Sequence, residues 1–287
     1  METLHKNAKI VILFAYAGIV AVIWYAVFVV EAGQNLRLTF FDIGQGDSIF
    51  IEAPNGTQVL VDGGPGDRVL SKLGEVMPPW DRSIDMLILT HPHADHLDGL
   101  LEVLKRYEVT MVMETGVNHT IPEYEEWHRT LQEKNVQVVR PYAGQVVRLS
   151  RDATLTILAP FADYEGESPK HLHDSMVVAK LVYGSVEAML TGDMERGLEF
   201  RLMERGADMD ADILKAGHHG SKTSSSENFL NAVSPEVVVI QSGRNNRYGH
   251  PYQEVLDRFA ALGIPVLRND TEGDIRFVSD GSRFIRR

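Results

Sequence analysis

Three imidazoles and a carboxylate fall within six residues at His91-Pro92-His93-Ala94-Asp95-His96. They directly follow Met86-Leu87-Ile88-Leu89-Thr90, an apolar run that reads as a buried strand. Packing does not explain four metal-ligand side chains at the end of such a strand. Imidazole and carboxylate together suit zinc, iron or manganese. Alternate residues of an extended segment point the same way, so His91 and His93 can grip one ion. Asp95 and His96 lie past the bend and can face a second.

Further candidates stand beside other expected strands. Asp62 closes Val59-Leu60-Val61 and precedes Gly63-Gly64. Asp193 follows Leu190-Thr191-Gly192. His218 and His219 follow the strand Ile213–Ala216, and His173-Asp174-Ser175 precedes another. Each has an ordinary explanation when taken alone. An aspartate before Gly-Gly is a turn former, Asp193 could cap a helix, and His173 could be a surface histidine. The joint arrangement, with ligands at strand ends through both halves of the chain, is what points to a metal site.

The elements that must position these residues are short and regularly punctuated. Leu36–Ile43, Ser48–Ala53 and Gln58–Asp62 read as strands separated by Gly-Gln-Gly-Asp and Pro-Asn-Gly turns. Residues 66–77 read as a helix, Met86–Thr90 as a strand and Leu97–Tyr107 as an amphipathic helix. Val109–Glu114 and Val136–Arg140 are expected strands flanking a helix over Pro122–Lys134. Phe161–His173 is polar and reads as a loop. In the second half, strands fit Thr154–Ala159, Met176–Tyr183, Val186–Leu190, Ile213–Ala216, Glu236–Gln241, Pro265–Leu267 and Ile275–Val278. Helices fit Met194–Arg205, Glu227–Val233 and Tyr252–Leu262. Strand clusters followed by strand–helix alternation, twice over, imply two packed sheets with helices outside.

Composition narrows the setting. The chain has 287 residues, 44% of them hydrophobic, which is enough for a sizeable core. It has no cysteine, so disulfide scaffolds and thiolate metal sites are excluded. Its net charge of -12 disfavours a broad basic face that coats nucleic acid. It leaves a nuclease open, because bound cations supply local positive charge. Ile10–Val30 is a run of 21 uncharged residues, the length of a bilayer-spanning helix. Lys6 and Lys9 precede it and Glu31 follows. This predicts a membrane anchor over residues 1–33, with a cytoplasmic N-terminus and residues 34–287 as an extracytoplasmic domain. The alternative is a signal sequence cleaved near Val30-Glu31-Ala32, which would give a secreted protein.

Asp62, the His91–His96 block, a His173-type position, Asp193 and His218 follow in order the five motifs of the metallo-β-lactamase fold, which the chain resembles. More narrowly, Phe41-Asp42-Ile43-Gly44-Gln45-Gly46-Asp47-Ser48, Thr191-Gly192-Asp193, Gly217-His218-His219-Gly220-Ser221-Lys222-Thr223-Ser224 and Asn246-Arg247-Tyr248-Gly249-His250-Pro251 resemble the extracellular hydrolase domain of ComEC-type competence proteins. The likeness runs from about residue 36 to 280. It implies a four-layer αββα sandwich holding two divalent metal ions, zinc or manganese, between the sheets. By the resemblance, His91, His93 and a third-motif residue hold one ion, either His173 or Asp174, with His173 preferred. Asp95, His96 and His218 hold the other, with Asp193 bridging. Asp62 and Asp47 orient loops. Two departures stand out. Those relatives carry the domain on a polytopic membrane channel, whereas one span cannot form a DNA channel. Their third motif is often Asn-rich, where this chain has His173-Asp174-Ser175.

The chemistry expected of such a site is hydrolysis, with Asp95, Asp193, His219 and His250 as catalytic residues. Ser221, Lys222 and Arg247 are expected to bind substrate. They lie in a stretch, residues 213–251, whose four Lys/Arg and two Glu make it net +2 inside an acidic chain. The helix N-terminus expected near Ser224-Ser225-Ser226 would add anion-binding N–H groups. A phosphodiester fits this better than an uncharged lactam. The leading expectation is a membrane-anchored phosphodiesterase acting on DNA, in the setting of a DNA-uptake or envelope complex. The alternatives are a hydrolase of a small phosphoester or lactone, and a non-catalytic subunit of such a complex.

Overall fold

Strict alternation of apolar side chains builds the centre of the molecule. In β1 (Leu36–Phe40) and β2 (Ile49–Glu52), Leu36, Leu38, Phe40, Ile49 and Ile51 all point into one core, while Phe50 points to the opposite face. In β3 (Gln58–Val61), Val59 and Val61 point inward and Leu60 outward. Phe50 and Leu60 are buried on that second face, so β2 and β3 are covered on both sides, as an inner strand of a layered α/β fold requires. Each fully buried Leu or Phe contributes about 1.5–3 kcal/mol of burial, so Phe40→Ala would cost about 3–5 kcal/mol.

The computed structural model describes residues 12–24 and 35–287. Residues 12–24 form a helix, α1, with exposed Phe14, Ile19 and Trp24. The rest of the expected span, residues 10–11 and 25–30, lies outside the described residues, as does the expected boundary at residue 33. Among the described residues, no helix is long and apolar enough to cross a membrane.

After β3 come α2 (Arg68–Val76), β4 (Ser83–Ile88), α3 (Ala94–Arg106), β5 (Glu108–Met113), α4 (Pro122–Glu133) and β6 (Gln137–Val139). The second half comprises β7 (Val146–Arg148), β8 (Ala153–Ala159), β9 (Val178–Tyr183), β10 (Val186–Leu190), α5 (Arg196–Glu204), β11 (Ile213–Lys215), α6 (Glu227–Val233), β12 (Val237–Ile240), α7 (Gln253–Ala261) and β13 (Val266–Arg268). The short helix α8 (Asn269–Glu272) leads into β14 (Ile275–Ser279) and β15 (Phe284–Arg286). Most expected elements form. The edge strands β7 and β15 and the helix α8 were not expected, and the loop reading of Phe161–His173 ends in a 3-10 turn at Leu172–Ser175.

An eight-stranded sheet runs β15-β14-β1-β2-β3-β4-β5-β6, and a seven-stranded sheet runs β13-β12-β11-β10-β9-β8-β7. Their inner faces share one core, from Leu38 and Ile51 on one sheet to Leu181 and Ala188 on the other. Outside, Leu73 of α2, Leu100 of α3 and Trp127 of α4 pack against the first sheet. Leu198 of α5, Phe229 of α6 and Phe259 of α7 pack against the second. This is the expected arrangement of helices outside two sheets. Parallel pairing of β3 with β4 and of β10 with β11 brings the C-terminal ends of ligand-bearing strands to the same edge of each sheet.

Candidate metal centre

The candidate ligands are delivered from strand ends and the turns or helix starts that follow them, except His173, which comes from the 3-10 turn Leu172–Ser175 before β9. Helix α3 starts at Ala94, three residues earlier than the sequence suggested, so Asp95 and His96 occupy its first turn and His93 its N-cap. The strand end and the helix start thus present the two halves of the hexapeptide in different directions. Asp193 follows β10 and is buried at 2% exposure. His218 and His219 follow β11 in a tight turn, with left-handed φ of 47° and 56°. Non-glycine residues rarely take that conformation, and two in succession are a feature held by their surroundings.

Asp193 is the hub. Its Oδ2 lies 3.4 Å from His96 Nε2, 3.6 Å from His218 Nε2 and 3.8 Å from His91 Nε2. Its Oδ1 lies 3.3 Å from His219 Nε2 and 3.9 Å from Lys215 Nζ. Around it, His91, His93, His173 and Asp193 offer ligand atoms all within 4.8 Å of one another. Asp95, His96 and His219 form a second such group, and His173, Glu195 and His218 a third.

The expected residues therefore come together, with one exchange of neighbours. His219, and not His218, stands beside Asp95 and His96, its Nε2 3.6 Å from Asp95 Oδ2. His218 turns its Nδ1 to Glu195 Oε1 at 3.2 Å. The reason is a contact distant in sequence: His219 Nδ1 is held 2.8 Å from the Gln241 carbonyl at the end of β12, which draws that ring inward. At the third motif, His173 joins His91 and His93, whereas Asp174 lies toward α5, and no metal-ligand group among the described residues includes it.

The hydrogen bonds behind the site leave ligand atoms free. Asp62 accepts from Thr90 N–H at 2.8 Å and Thr90 Oγ1 at 2.7 Å, and its Oδ2 lies 2.8 Å from His96 Nδ1. His96 Nε2, His219 Nε2, His173 Nε2 and Asp193 Oδ1 are buried without a hydrogen-bond partner. Buried polar atoms normally have one. His96 and His219, each fixed through Nδ1 with Nε2 free and converging on carboxylates, are the kind of donor a divalent cation requires. His91 Nε2 and His93 Nδ1, only 2.9 Å apart, fit the same account.

Electrostatics divides the histidines. Burial, reinforced by His173 and His96, pushes His93 down to about 4, and burial with His219 and His218 does the same to His250. These rings are neutral lone-pair donors at neutral pH. For His96 and His219, burial is outweighed by Asp193 together with Asp62 or Asp47, so both are held well above the usual imidazole range. The same carboxylates that favour the charged rings would favour a bound cation. Asp193 is correspondingly held well below the carboxylate range: burial opposes this, and His219 and His96 outweigh it.

Above the ligands lies a cavity of about 420 Å³, whose lining includes Gln45, Asp95, His119, Tyr248 and His250. His250 is thus at the site, 5.6 Å from the His218 ring and stacked 5.9 Å from Tyr248. Lys222 faces a separate groove beside Glu195 and Glu254, and Ser221 is tied to Thr223 at 2.9 Å. Arg247 lies over Tyr248, with its guanidinium 4.8 Å from the ring, outside the cavity lining. The expected anion seat at the N-terminus of α6 is already filled. Ser226 N–H donates to Glu199 Oε2 at 3.0 Å, and Ser225 N–H donates to the other oxygen of the same carboxylate.

Several residues the sequence reading passed over belong here. Lys215 is fully buried, contacts Asp47 and donates to the Gly192 carbonyl at 2.8 Å. Asp47 Oδ1 in turn lies 3.2 Å from His219 Nδ1. Glu195 and His119 complete the surroundings, the latter ring 6.0 Å from His93. A lysine at a strand end and an isolated histidine in a loop carry no local signal of this.

Residues 41–244 match the family described as "Metallo-beta-lactamase superfamily". The chain is similar to "ComE operon protein 3" of Bacillus subtilis, 31% identical over 283 residues that cover 92% of this chain and 36% of the relative. It is also similar to "Competence protein ComA" of Neisseria gonorrhoeae, 32% identical over 249 residues, covering 85% of this chain and 32% of that one. The chain thus spans about a third of the length of these curated relatives. Igni18, a metallo hydrolase from Ignicoccus hospitalis, shares the fold at a TM-score of 0.56 and 15% identity, over 85% of this chain and 98% of its own.

Proposed function

We propose that this chain, which belongs to the metallo-beta-lactamase superfamily, is a two-metal phosphodiesterase that cleaves DNA on the outer side of a membrane. The observation that carries the reading is the position of Asp193. One buried carboxylate reaches both groups: its Oδ2 lies 3.8 Å from His91 of the His91–His93–His173 group and 3.4 Å from His96, and its Oδ1 lies 3.3 Å from His219 of the Asp95–His96–His219 group. His91, His93 and His173 would hold one divalent cation, Asp95, His96 and His219 the other, and Asp193 both. Such a pair lowers the pKa of a water and polarises a phosphoryl oxygen, the chemistry of phosphodiester hydrolysis.

The chain's own residues do the remaining work. Asp62 and the Gln241 carbonyl fix the orientation of His96 and His219 through their Nδ1 atoms. His250 and Tyr248 line the cavity wall, and Arg247 lies over the ring of Tyr248. DNA as substrate is supported by similarity to two competence proteins. A membrane anchor is supported by the uncharged run Ile10–Val30 and the exposed apolar side chains of α1, and the setting we propose is a DNA-uptake complex. A second reading, hydrolysis of a smaller phosphoester, draws support from the net charge of -12 and a cavity of only about 420 Å³.

The test loads the full chain with manganese or zinc and supplies linear DNA beside bis-p-nitrophenyl phosphate. DNA cleavage that is lost in His93→Ala and Asp193→Ala is the expected result. Cleavage of the small ester alone would favour the second reading. Full metal occupancy with no turnover of either would overturn both and leave a binding subunit.

A further inference from the structure

The loop Gly44-Gln45-Gly46-Asp47 offers no ligand from its first three residues, yet it is fitted tightly to the metal centre. Asp47 N–H donates to the Asp95 carbonyl at 3.3 Å. Gly46, at φ 128°, approaches so closely that a Cβ there would lie 2.1 Å from the same oxygen. On the other side, Gly243 in the loop after β12 would place a Cβ 2.7 Å from Gln45 N. Two glycine contacts thus fix the backbone on either side of Gln45 and bring its side chain to the cavity wall beside Asp95.

The direction of the Gln45 amide is set by one bond. Gly243 N–H donates to Gln45 Oε1 at 3.2 Å. A backbone N–H needs an acceptor, so this bond assigns the oxygen and leaves Nε2 as the free end. Nε2 is buried and has no hydrogen-bond partner. An amide NH₂ has no lone pair to give a cation, so it cannot serve as a ligand. Its chemistry is complementary: the ligands around it supply lone pairs, and Gln45 supplies a donor whose strength does not depend on protonation.

We infer that Gln45 is a substrate-binding residue whose Nε2–H donates to an anionic phosphoryl oxygen seated in the cavity beside Asp95. This rests on the phosphodiesterase reading for the identity of the ligand, and on geometry alone for the donor. It also gives the Gly-Gln-Gly-Asp block a role that metal binding does not.

The test uses the full chain loaded with manganese and titrates inorganic phosphate by calorimetry, with bis-p-nitrophenyl phosphate hydrolysis measured alongside. Gln45→Met removes the donor at similar length. Gln45→Glu keeps an acceptor for Gly243 N–H and removes the donor. Phosphate affinity is expected to fall about 10-fold or more in both, as for loss of a hydrogen bond to a charged group. Metal content should match the wild type in both variants, and melting temperature in Gln45→Glu, which keeps the acceptor for Gly243 N–H. Wild-type affinity in both variants would overturn the inference, as would a metal-loaded wild type that binds no phosphate. Loss of metal or of thermal stability in both variants would also overturn it, because that marks a structural role. Loss of phosphate affinity without any wild-type hydrolysis would keep Gln45 and reject the reaction. Hydrolysis with unchanged phosphate affinity would do the reverse.

Discussion

His219 Nε2 lies 3.6 Å from Asp95 Oδ2, while the adjacent His218 directs its Nδ1 to Glu195 Oε1 at 3.2 Å. Two neighbouring imidazoles thus face different partners. If ligand atoms follow this geometry, His219→Ala removes a ligand of the second ion and His218→Ala does not. Elemental analysis of the purified, dialysed proteins should find about one ion fewer in His219→Ala and an unchanged count in His218→Ala. The opposite pattern would return the ligand role to His218.

Asp62 should matter for metal without touching it. Its carboxylate oxygen lies 2.8 Å from His96 Nδ1 and also anchors Thr90, the residue before His91. Removing such a partner typically costs 10–100-fold in metal affinity. Asp62→Ala is expected to fall in that range in a competition titration against a chromophoric chelator, with the first-turn helix contacts of α3 preserved. Wild-type affinity would show that the imidazole is held by packing alone.

Much of this centre is legible in the sequence because ligands at strand ends have no packing role to hide behind. The His91–His96 block, Asp62 and Asp193 all declare themselves by type and position. What is not legible is set by contacts far along the chain. The choice between His218 and His219 is made by the Gln241 carbonyl, 22 residues away and on the next strand. The anion seat at the start of α6 looked open, but Glu199 of α5 fills it. Lys215 reads as one residue of the strand Ile213–Ala216, and only the packing of the two sheets brings Asp47 against it. Edge strands of three residues, such as β7 and β15, are too short for alternation to show.

Acid should weaken one tertiary clamp away from the metal site. Asp274 accepts from Asp42 N–H at 2.8 Å and pairs with Lys72 at 2.9 Å and Arg276 at 3.1 Å, tying α2 and β14 to the end of β1. Burial alone would raise its pKa. The Asp42 N–H and the two cations outweigh burial and hold the carboxyl below its usual value. The folded state therefore favours the ionised form. That contribution is complete above about pH 4, the pKa of an unfolded aspartate, and is lost as pH falls through the lower folded value. Asp274→Asn should lower the urea midpoint at pH 7, and the gap to wild type should narrow below about pH 4. A gap independent of pH would assign the effect to shape and not to charge.

Lys215 and Asp47 should behave as a pair. Both side chains are at most 1% exposed, and they contact each other directly behind the ligands. The lysine also lies 3.9 Å from Asp193 and holds the Gly192 carbonyl just before it. Removing one member of a buried ion pair strands the other, at a cost of about 3–5 kcal/mol, whereas replacing both by apolar groups is often neutral. Lys215→Met alone leaves the buried Asp47 carboxylate with His219 as its remaining cationic partner. The double variant Lys215→Met/Asp47→Leu removes the stranded carboxylate, although it also removes Asp47 from His219 Nδ1, where the Gln241 carbonyl remains. In metal-free protein, denaturant unfolding should show a large loss for Lys215→Met and recovery of most of it in the double variant. Equal losses in the two would mean that Lys215 stabilises the fold through the Gly192 carbonyl and its own packing, and not through its charge partner.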